Sequence, residues 1–516
     1  MVEWLAARHW GLRTAVAIVA GILVALGFQP YGWWPLLLVG VAGLSVCVLS
    51  AKRWWGAAGI GYAFGLGFMG LGVNWMQVIF LQAMFALVVI EAVWYALLAV
   101  LIRLGARTAW WPLLAAGSWT VVEYVFSRFP FDGFGWMRIG YAMVDSPLAW
   151  GMPIVGVAGV GLATALVGQG LAWLATAPSA KRTAVVASGV AALVGLSATG
   201  LLIVPGASTG TVTSGWVQGG APGGGVYGLG PARTITRNQV AETGRLFDRV
   251  DAGEVVRPDF VVWPENSTDM DPFDDAETAQ LVSSALARTN TSILVGAVTN
   301  GPGPDERQTV SLWWNPDGTI SARYVKRGIV PFGEWVPFRN LLLPLIPELA
   351  YVGAQSVAGT DPGVLHVTLA DGRPLEVGVV ICYDLAFDRI VADTVTNGAQ
   401  VLIVQSSNAM YQGTGQIDQQ FAITRARAME LRRDILVVTT SGVSGLIRAD
   451  GSVEFSTTDH TSASGVVTLQ ERSGLTPAAA WGGAIEAALV LATLAGLGGV
   501  VIWGRMAALR KGRRHP

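Results

Sequence analysis

The chain has 516 residues, of which 52% are hydrophobic and only 13% are charged. Soluble globular proteins carry about twice this share of charged residues, so the composition is that of a membrane protein. The formal net charge of −1 gives no indication of nucleic-acid binding by bulk charge. The length allows two or more domains.

Apolar segments long enough to cross a bilayer recur along the first 204 residues. A span needs about 20 predominantly apolar residues. Such segments are predicted near 13–28, 33–50, 55–76, 80–102, 108–126, 149–176, 183–204 and, after a long polar-containing region, 479–503. The sequence therefore predicts about eight spans, seven before a large domain and one after it.

The basic residues indicate the orientation of these spans, because cytoplasmic loops carry an excess of Lys and Arg. Basic residues flank the first span, occupy every second link and follow the last span: Arg8, Arg13, Lys52, Arg53, Arg103, Arg107, Lys181, Arg182, Arg505, Arg510, Lys511, Arg513 and Arg514. The links 29–32 and 77–79 have none, and two aspartates offset the two arginines of 127–148. We expect a multi-pass protein of the cell membrane with both termini in the cytoplasm.

Three domains follow from this pattern: a membrane domain at 1–204, an extracytoplasmic domain at 205–478, and a last span with a basic tail at 479–516. In the outer domain, short and continuously apolar runs alternate with helical stretches. Strands are predicted at 211–218, 259–264, 292–298, 309–315, 375–383, 400–405 and 434–440, and helices at 234–250, 275–289 and 415–434. This alternation predicts a layered α/β domain.

Three polar residues come directly after predicted strands: Glu265 after VVWP, Lys326 after SARYV and Cys382 after VGVVI. Folds of this class place their chemistry outside the carboxyl ends of the strands. A carboxylate can take the proton of a thiol, and an ammonium can stabilise first the thiolate and then an oxyanion. These three residue types are sufficient for acyl transfer. Cys47 lies in the second predicted span, so Cys382 has no disulfide partner outside.

The motifs WPE, YVKRGIVPFGEWVP and ICYD, in this order, resemble the Glu–Lys–Cys triad of the nitrilase, or carbon–nitrogen hydrolase, superfamily. The arrangement of spans narrows the resemblance to the apolipoprotein N-acyltransferase family over nearly the whole chain. GFQPYGWWPLL (27–37) and FGWMRIGYAMVDSPLAW (134–150) are similar to membrane-region segments of that family. The resemblance implies a multi-pass helical membrane domain that carries an extracytoplasmic nitrilase-like αββα sandwich.

The resemblance also implies a reaction, in which an acyl chain moves from a phospholipid to the α-amino group of the N-terminal diacylglyceryl-cysteine of a lipoprotein. Cys382 would be the nucleophile and carry a thioester, Glu265 would be the proton acceptor, and Lys326 would support the oxyanion. The expected partners are the phospholipid donor and the diacylated apolipoprotein acceptor. No cofactor, metal or nucleic acid is expected.

Several further residues match the family pattern. Glu334 matches a second glutamate that orients the lysine or the nucleophile, and Tyr383 matches the aromatic residue after the cysteine. Asp384 stands where many family members have a glutamate, and it is also a candidate N-cap for the helical segment that follows. Tyr227 and Trp335 are candidate gating or substrate-contacting residues.

Two segments of the outer domain are candidates for a lid. The glycine-rich stretch 219–230 fits a mobile loop, and it is not a phosphate loop because no GK[ST] follows. The apolar, proline-containing segment 339–353 fits an arm that faces the membrane, since such a surface is costly to expose to water.

Each candidate also has a purely structural interpretation. Cys382 is compatible with a buried structural thiol and Glu265 with a cap of the turn ENSTD. Lys326 is compatible with a solvated strand end, and Glu334 and Tyr227 with ordinary turn and loop packing. The Glu–Lys–Cys set in this order favours chemistry.

Alternatives to this function remain open at the level of the sequence. Glu91 and Glu123 lie within predicted spans, where a carboxylate serves either function or helix packing. A membrane-tethered nitrilase-type amidase that uses water as acceptor would need the same triad, and a transporter with an outer binding domain is the non-enzymatic alternative. The four histidines offer no evident Cys–His site, and no His/Cys spacing indicates a metal.

Overall fold

The structure is a computed structural model that describes residues 2–204, 206 and 208–512, so Arg513 and Arg514 of the predicted basic tail lie outside the described residues. The chain divides into two compact units. The first comprises Met1–Ile203 and Trp481–Pro516, and the second comprises Val204–Ala480.

The first unit is helical. Its first eight α-helices are α1 (Val2–Ala6), α2 (Trp10–Ala25), α3 (Trp34–Leu49), α4 (Trp54–Gly72), α5 (Leu81–Gly105), α6 (Trp111–Phe126), α7 (Met152–Thr176) and α8 (Ala180–Ala198). Short 3-10 turns connect α6 to α7 over 135–151, and α7 bends at Gly156, whose backbone is not helical.

The second unit contains two sheets and five α-helices. Its elements are β1 (Ser208–Gln218), α9 (Thr234–Asp251), β2 (Phe260–Val262), α10 (Ala276–Thr289), β3 (Ser292–Asn300), β4 (Glu306–Trp314), β5 (Ile320–Val325), α11 (Arg339–Leu342), β6 (Gln355–Ser356), β7 (Val364–Thr368), β8 (Pro374–Ile381), α12 (Asp388–Thr396), β9 (Val401–Ser406), α13 (Gly415–Leu431), β10 (Ile435–Thr439), β11 (Gly445–Ile447), β12 (Val453–Ser456) and β13 (Ala463–Arg472). The last helix, α14 (Pro477–Gly512), follows β13.

A helix of the structure lies at each of the eight predicted spans. Among the described residues, four helical segments are long and apolar enough to cross a membrane: Leu81–Gly105, Pro147–Thr176, Ala180–Leu202 and Pro477–Ala507. The shorter helices α2 and α3 are also apolar. A membrane part is therefore supported, while the number of about eight spans stays a prediction.

Glycines allow the helices of the first unit to pack at close range. A Cβ on Gly21 of α2 would lie 2.1 Å from the backbone oxygen of Phe64 on α4. A Cβ on Gly61 of α4 would lie 2.1 Å from the backbone oxygen of Tyr95 on α5. Small residues at such crossings let backbones approach closely, which is a common way to pack helices in membranes.

The two sheets of the second unit lie face to face. The first has the strand order β13-β1-β2-β3-β4-β5, with β6 paired to β4, and the second has the order β12-β11-β10-β9-β8-β7. One buried core joins the inner faces, with Phe260, Leu294 and Trp313 from the first sheet against Val379 and Ile403 from the second. The interdigitated apolar side chains of the two inner faces hold the sandwich together.

Helices cover the outer faces of both sheets. Leu246 and Phe247 of α9 and Leu286 of α10 pack on the outer face of the first sheet, in a core with Val261 and Ile293. On the other side, α12 contacts β8 and α13 contacts β11. The order of layers is therefore αββα, which confirms the predicted layered α/β domain.

The predicted strands of the second unit are confirmed at β1, β2, β3, β4, β8, β9 and β10, and the predicted helices at α9, α10 and α13. The main omission is β13, which pairs antiparallel with β1 along nearly its whole length. Most of its residues are only partly buried and they do not form a continuous apolar run, so no strong strand signal marks this segment.

Candidate active site

The ends of three strands bring Glu265, Lys326 and Cys382 into one region. Lys326 comes directly after β5, Cys382 comes directly after β8, and Glu265 lies three residues after β2. The strands β1, β2 and β3 are parallel neighbours, as are β8, β9 and β10. The carboxyl ends of parallel neighbours lie at one edge of each sheet, and Glu265, Lys326 and Cys382 lie at these edges.

Lys326 is the centre of a buried ionic cluster with Glu265 and Glu334, which we call the Lys326 cluster. Its Nζ donates to Glu265 Oε1 and to Glu334 Oε1, both at 2.9 Å, and the residue is 1% exposed. Burial opposes the charged form of the lysine, but the two carboxylates outweigh it and hold the pKa of Lys326 well above its ordinary value. Lys326 is therefore a fixed cation.

Backbone groups hold the second oxygen of each carboxylate. The N–H of Ser407, directly after β9, donates to Glu265 Oε2 at 2.9 Å. The N–H of Val330 donates to Glu334 Oε2 at 2.8 Å. Both carboxylates are thus oriented from two sides. Ser407 is a site residue that the sequence reasoning missed, although its position at the end of the predicted strand 400–405 was a usable signal.

Cys382 is a partly buried free thiol at the start of a short 3-10 turn, Cys382–Ala386. Burial raises the pKa of this thiol above its ordinary value, the charge of Glu265 raises it further, and the charge of Lys326 lowers it. The thiol is therefore neutral at rest, and a base must take its proton before or during attack. Its backbone has φ +49°, a left-handed conformation that is strained for a residue with a side chain.

Asp384 does not cap helix α12, so the N-cap prediction is wrong. It is fully buried within the 3-10 turn, and its carboxylate accepts hydrogen bonds from the Tyr324 hydroxyl at 2.9 Å, the Gly328 N–H at 2.6 Å and the Ile381 N–H at 3.1 Å. Burial raises the pKa of Asp384, and Lys326 and these donors oppose the shift. The side chain joins the turn of the nucleophile to the segment that carries Lys326.

The close approach at Gly328 explains why a glycine follows the motif lysine by two residues. A Cβ at this position would lie 2.9 Å from Asp384 Oδ1 and 2.8 Å from the Phe387 ring. The ring of Phe387 also makes an edge contact with Tyr383, at 5.1 Å between centroids. Tyr383 is buried, so its aromatic ring packs in the interior, against Phe387.

Tyr411 is a second residue that the sequence reasoning missed. Burial raises the pKa of its hydroxyl, and the charges of Cys382, Glu334 and Glu265 raise it further while Lys326 lowers it. This electrostatic environment makes Tyr411 a candidate site residue. No sequence motif marked it, because it follows β9 in a short 3-10 turn.

Tyr227 and Trp335 have different surroundings. Tyr227 is 78% exposed, and its hydroxyl donates to the Tyr351 hydroxyl at 2.8 Å, which links the glycine-rich stretch 219–230 to the apolar segment 339–353. Trp335 follows Glu334, and its backbone oxygen accepts from the Phe332 N–H at 2.7 Å, which closes the turn that carries the glutamate.

A second buried ionic cluster lies in the first unit, and we call it the membrane-unit cluster. Arg138 Nη2 pairs with Glu486 Oε1 at 2.6 Å, and its Nε lies 3.7 Å from Glu123 Oε2. Arg128 Nη2 pairs with Glu486 Oε2 at 2.6 Å. Glu123 also accepts from the Ile139 N–H at 2.8 Å, so the structure favours its packing role. Glu91 is buried within α5.

Two histidines of the second unit pair with carboxylates. His366 pairs with Glu376, and His460 pairs with Asp459 at 3.1 Å, both at exposed positions. Within the described residues, no group of three or more His, Cys, Asp or Glu side chains is arranged to hold a metal ion.

The geometry supports a covalent acyl-transfer reaction. It places a neutral thiol at a strained position beside a carboxylate that can accept its proton and a fixed ammonium that can stabilise an oxyanion. Each group is held by hydrogen bonds to the backbone or to another charged group, so the site is preorganised.

Comparisons with known proteins agree with the division of the chain. The family model of the apolipoprotein N-acyltransferase N-terminal domain matches residues 20–170, and the carbon-nitrogen hydrolase model matches residues 255–470. The first therefore covers most of the helices α2–α7, and the second covers the segment that contains Glu265, Lys326 and Cys382.

Whole-chain relatives are similar over nearly their full length, and those described here are named apolipoprotein N-acyltransferase. The protein of Mycolicibacterium smegmatis is 33% identical over 93% of this chain and 84% of its own length. That of Photobacterium profundum is 26% identical over 90% of each chain. That of Vibrio cholerae is 26% identical over 92% of this chain and 94% of its own length.

Proposed function

The chain belongs to the apolipoprotein N-acyltransferase family and acts in the N-acylation of lipoproteins, and we propose that it does so by a ping-pong reaction through a thioester on Cys382. The acyl donor is a phospholipid. The acceptor is the α-amino group of the N-terminal diacylglyceryl-cysteine of a lipoprotein.

In the first half-reaction, the Cys382 sulfur attacks the ester carbonyl of the phospholipid. Glu265 accepts the thiol proton, as it must because the raised pKa keeps the thiol neutral at rest. Lys326 stabilises the oxyanion of the tetrahedral intermediate. The C–O ester bond breaks, Glu265 returns the proton to the leaving oxygen, and lysophospholipid departs while the acyl group stays on sulfur.

In the second half-reaction, the amine of the lipoprotein attacks the thioester carbonyl. Glu265 accepts a proton from the attacking nitrogen, the C–S bond breaks, and the thiolate takes this proton back. The products are an N-acylated lipoprotein and the neutral Cys382 thiol. Glu265 therefore serves as base and acid in both halves.

Glu334 has an orienting role in this scheme. Its Oε1 accepts from Lys326 Nζ at 2.9 Å, and its other oxygen accepts from the Val330 N–H. The Lys326 cluster contains two carboxylates and one ammonium, so it carries one negative charge beside the thiol.

The membrane arrangement is part of the proposal. We place residues 205–478 on the extracytoplasmic face, with about eight spans at 1–204 and 479–516 and both termini in the cytoplasm. The support is the distribution of Lys and Arg in the sequence and the apolar helices of the first unit. Both substrates carry acyl chains in the bilayer and reactive groups at its surface.

The apolar segment 339–353 gives a route for such lipids. Phe338, Leu341, Leu345 and Tyr351 in and beside this segment are 70%, 65%, 70% and 58% exposed. An apolar surface of this kind on a catalytic domain fits contact with lipid acyl chains. The hydrogen bond between Tyr227 and Tyr351 then makes the glycine-rich stretch part of a lid over the site. Trp335 contributes to the edge of this lid.

The observation that carries this proposal is the buried Glu265–Lys326–Glu334 arrangement beside Cys382 in a chain of this family. The test is incubation of the full-length protein with labelled phospholipid and a diacylated lipopeptide. We expect label on the peptide amine, and none with Cys382→Ala. Ammonia release from small amides without acyl transfer would instead identify an amidase, and full activity of Cys382→Ala would refute the mechanism.

A further inference from the structure

We infer that Arg427 is a positioning residue for the nucleophile, because its guanidinium caps the turn that begins at Cys382. This inference rests on the proposed role of Cys382. Arg427 lies on α13 and is 1% exposed. Its Nε and Nη2 both donate to the backbone oxygen of Leu385, at 3.0 and 2.9 Å.

The turn needs such a partner. Leu385 is the fourth residue of the 3-10 turn Cys382–Ala386 and is fully buried. Carbonyl groups at the end of a helical turn lack partners within the turn, and water cannot satisfy a buried one. A charged, two-pronged donor forms stronger hydrogen bonds than a neutral one and fixes the direction of the carbonyl.

Two carboxylates hold the guanidinium in place. Arg427 Nη1 donates to Glu430 Oε2 at 2.5 Å on the same helix, and Nη2 donates to Asp388 Oδ1 at 2.6 Å. Asp388 is the first residue of α12. Arg427 therefore ties the turn of the nucleophile to both helices that cover the second sheet.

The position of Cys382 depends on this restraint because its backbone is strained. A left-handed residue with a side chain persists only where its surroundings hold it. The turn is held at two points, by Asp384 through the N–H groups of Gly328 and Ile381, and by Arg427 through the Leu385 carbonyl. Loosening the second point lets the sulfur move away from the Lys326 cluster without changing any charge in it.

The experiment compares two variants of full-length protein, Arg427→Lys and Arg425→Lys. The first keeps a cation facing Asp388 and Glu430 but cannot hold one carbonyl with two N–H groups. The second is a matched control on the same helix, where Arg425 Nε donates at 3.0 Å to the Gly451 oxygen, outside the turn. The readout is the rate of thioester formation from phospholipid without acceptor, followed by intact mass across a range of pH.

We expect Arg427→Lys to form the thioester about 10- to 100-fold more slowly, because a displacement of about 1 Å can cost this much. The pH at which the rate is half-maximal should not change, since no charge of the Lys326 cluster changes. Arg425→Lys should stay within about twofold of the wild type. Wild-type rates for Arg427→Lys, an equal loss in the control, or a shifted pH midpoint would overturn the inference.

Two further variants separate the possible failures. If Cys382→Ala still forms the acyl-enzyme, the proposed function fails; if it forms none while Arg427→Lys is as fast as the wild type, only the role of Arg427 fails. Should Arg427→Lys not fold, Asp388→Asn loosens the Nη2 group but keeps the arginine. We expect it to be about three- to tenfold slower, and a wild-type rate would overturn the inference.

Discussion

The two units each bury a cluster of opposite charges, but the two clusters differ in charge balance. In the membrane-unit cluster, two arginines face two glutamates, and both oxygens of Glu486 are paired at 2.6 Å. In the Lys326 cluster, one ammonium faces two carboxylates, and a thiol lies beside them. The membrane-unit cluster joins Glu486 to two arginines from other segments, whereas the Lys326 cluster places the carboxylate of Glu265 next to a thiol.

The difference teaches why burial of charge alone does not identify an active site. Buried ion pairs are retained both for structure and for chemistry, and their desolvation is costly in either case. Charge balance does not identify an active site either, because Arg427 also faces two carboxylates, Asp388 and Glu430. The distinguishing feature of the Lys326 cluster is the neighbouring nucleophile at a strained backbone position. Each of the following substitutions tests one side of this contrast.

The largest effect is expected for Glu265→Gln, which removes the excess charge of the Lys326 cluster. The amide cannot accept a proton, so acyl transfer should fall by about 10²- to 10⁴-fold. The same change lowers the pKa of Cys382, because the charge of Glu265 helps to raise it. Iodoacetamide alkylation of this thiol near neutral pH should become faster, about threefold for each unit that the pKa falls, because the thiolate fraction rises about tenfold while the nucleophilicity of the thiolate falls.

The prediction is therefore that the rate of acyl transfer falls while the rate of thiol alkylation rises. A misfolded protein would also expose the thiol, lower its pKa and speed alkylation, so the thermal unfolding transition of the variant must match that of the wild type before the two rates are compared. Slower alkylation in Glu265→Gln would show that Glu265 does not hold the thiol in its neutral form.

Arg138→Met tests the other side of the comparison. It leaves Glu123 and part of Glu486 without their buried partner, so stability should fall by about 3–5 kcal/mol. The rate of transfer per folded molecule should be unchanged. The matched control is Arg128→Met, whose side chain is 40% exposed and should cost about 0–1 kcal/mol. Thermal unfolding in detergent, with activity below the transition, measures both quantities.

If Arg138→Met remained as stable as the wild type but lost transfer, the membrane-unit cluster would have a part in function. The proposed contrast between a structural and a reactive cluster would then be wrong.

Asp384→Asn sharpens the account of how the nucleophile is held. In the asparagine, an NH₂ group replaces one of the two carboxylate oxygens, which accept three hydrogen bonds in the wild type. A donor then faces a donor, and a hydrogen bond is lost. We expect thioester formation to fall by about 10- to 100-fold. Tyr324→Phe removes only one of these bonds and should lose less, about three- to tenfold. Equal rates for both variants and the wild type would contradict a positioning role.

The smallest effect is expected at the exposed tyrosine pair. Tyr227→Phe and Tyr351→Phe each remove the same hydrogen bond of 2.8 Å between exposed hydroxyls. Each should change the apparent KM for phospholipid by about threefold or less. The double variant should match the single ones, and additive losses would show that the two hydroxyls act independently.

The residues found from the sequence share a simple property. Glu265 and Cys382 come close to or directly after strands with continuous apolar runs, so both their element and their edge were predictable. The strand before Lys326 has no such run, and the lysine is recognised from the motif. The layered α/β class followed from the alternation of strands and helices, and Glu334 and the αββα order followed from the resemblance. The strand β13 was missed because its partly buried residues lack a clear pattern.

The contacts that act across long sequence distances were not predictable. Glu486 is one acidic residue in an apolar helix, and nothing in the sequence pairs it with Arg138, 348 positions earlier. An acidic residue before a helix favours a cap, which is why the sequence predicts one at Asp384, but two donors from the segment 324–328 and the nearby Ile381 N–H bind it instead. Arg427 lies in a helix with several charged residues, and only the structure shows which carbonyl it holds.

The most direct measurement is to mix the full-length protein with phospholipid in the absence of acceptor and to determine its intact mass. The account predicts a mass increase of one acyl group, located on Cys382 and removed by hydroxylamine, with one lysophospholipid released per enzyme. Addition of the diacylated peptide should discharge the acyl group onto the peptide amine. Acylated peptide formed without this intermediate, or an acyl group on any other residue, would contradict it.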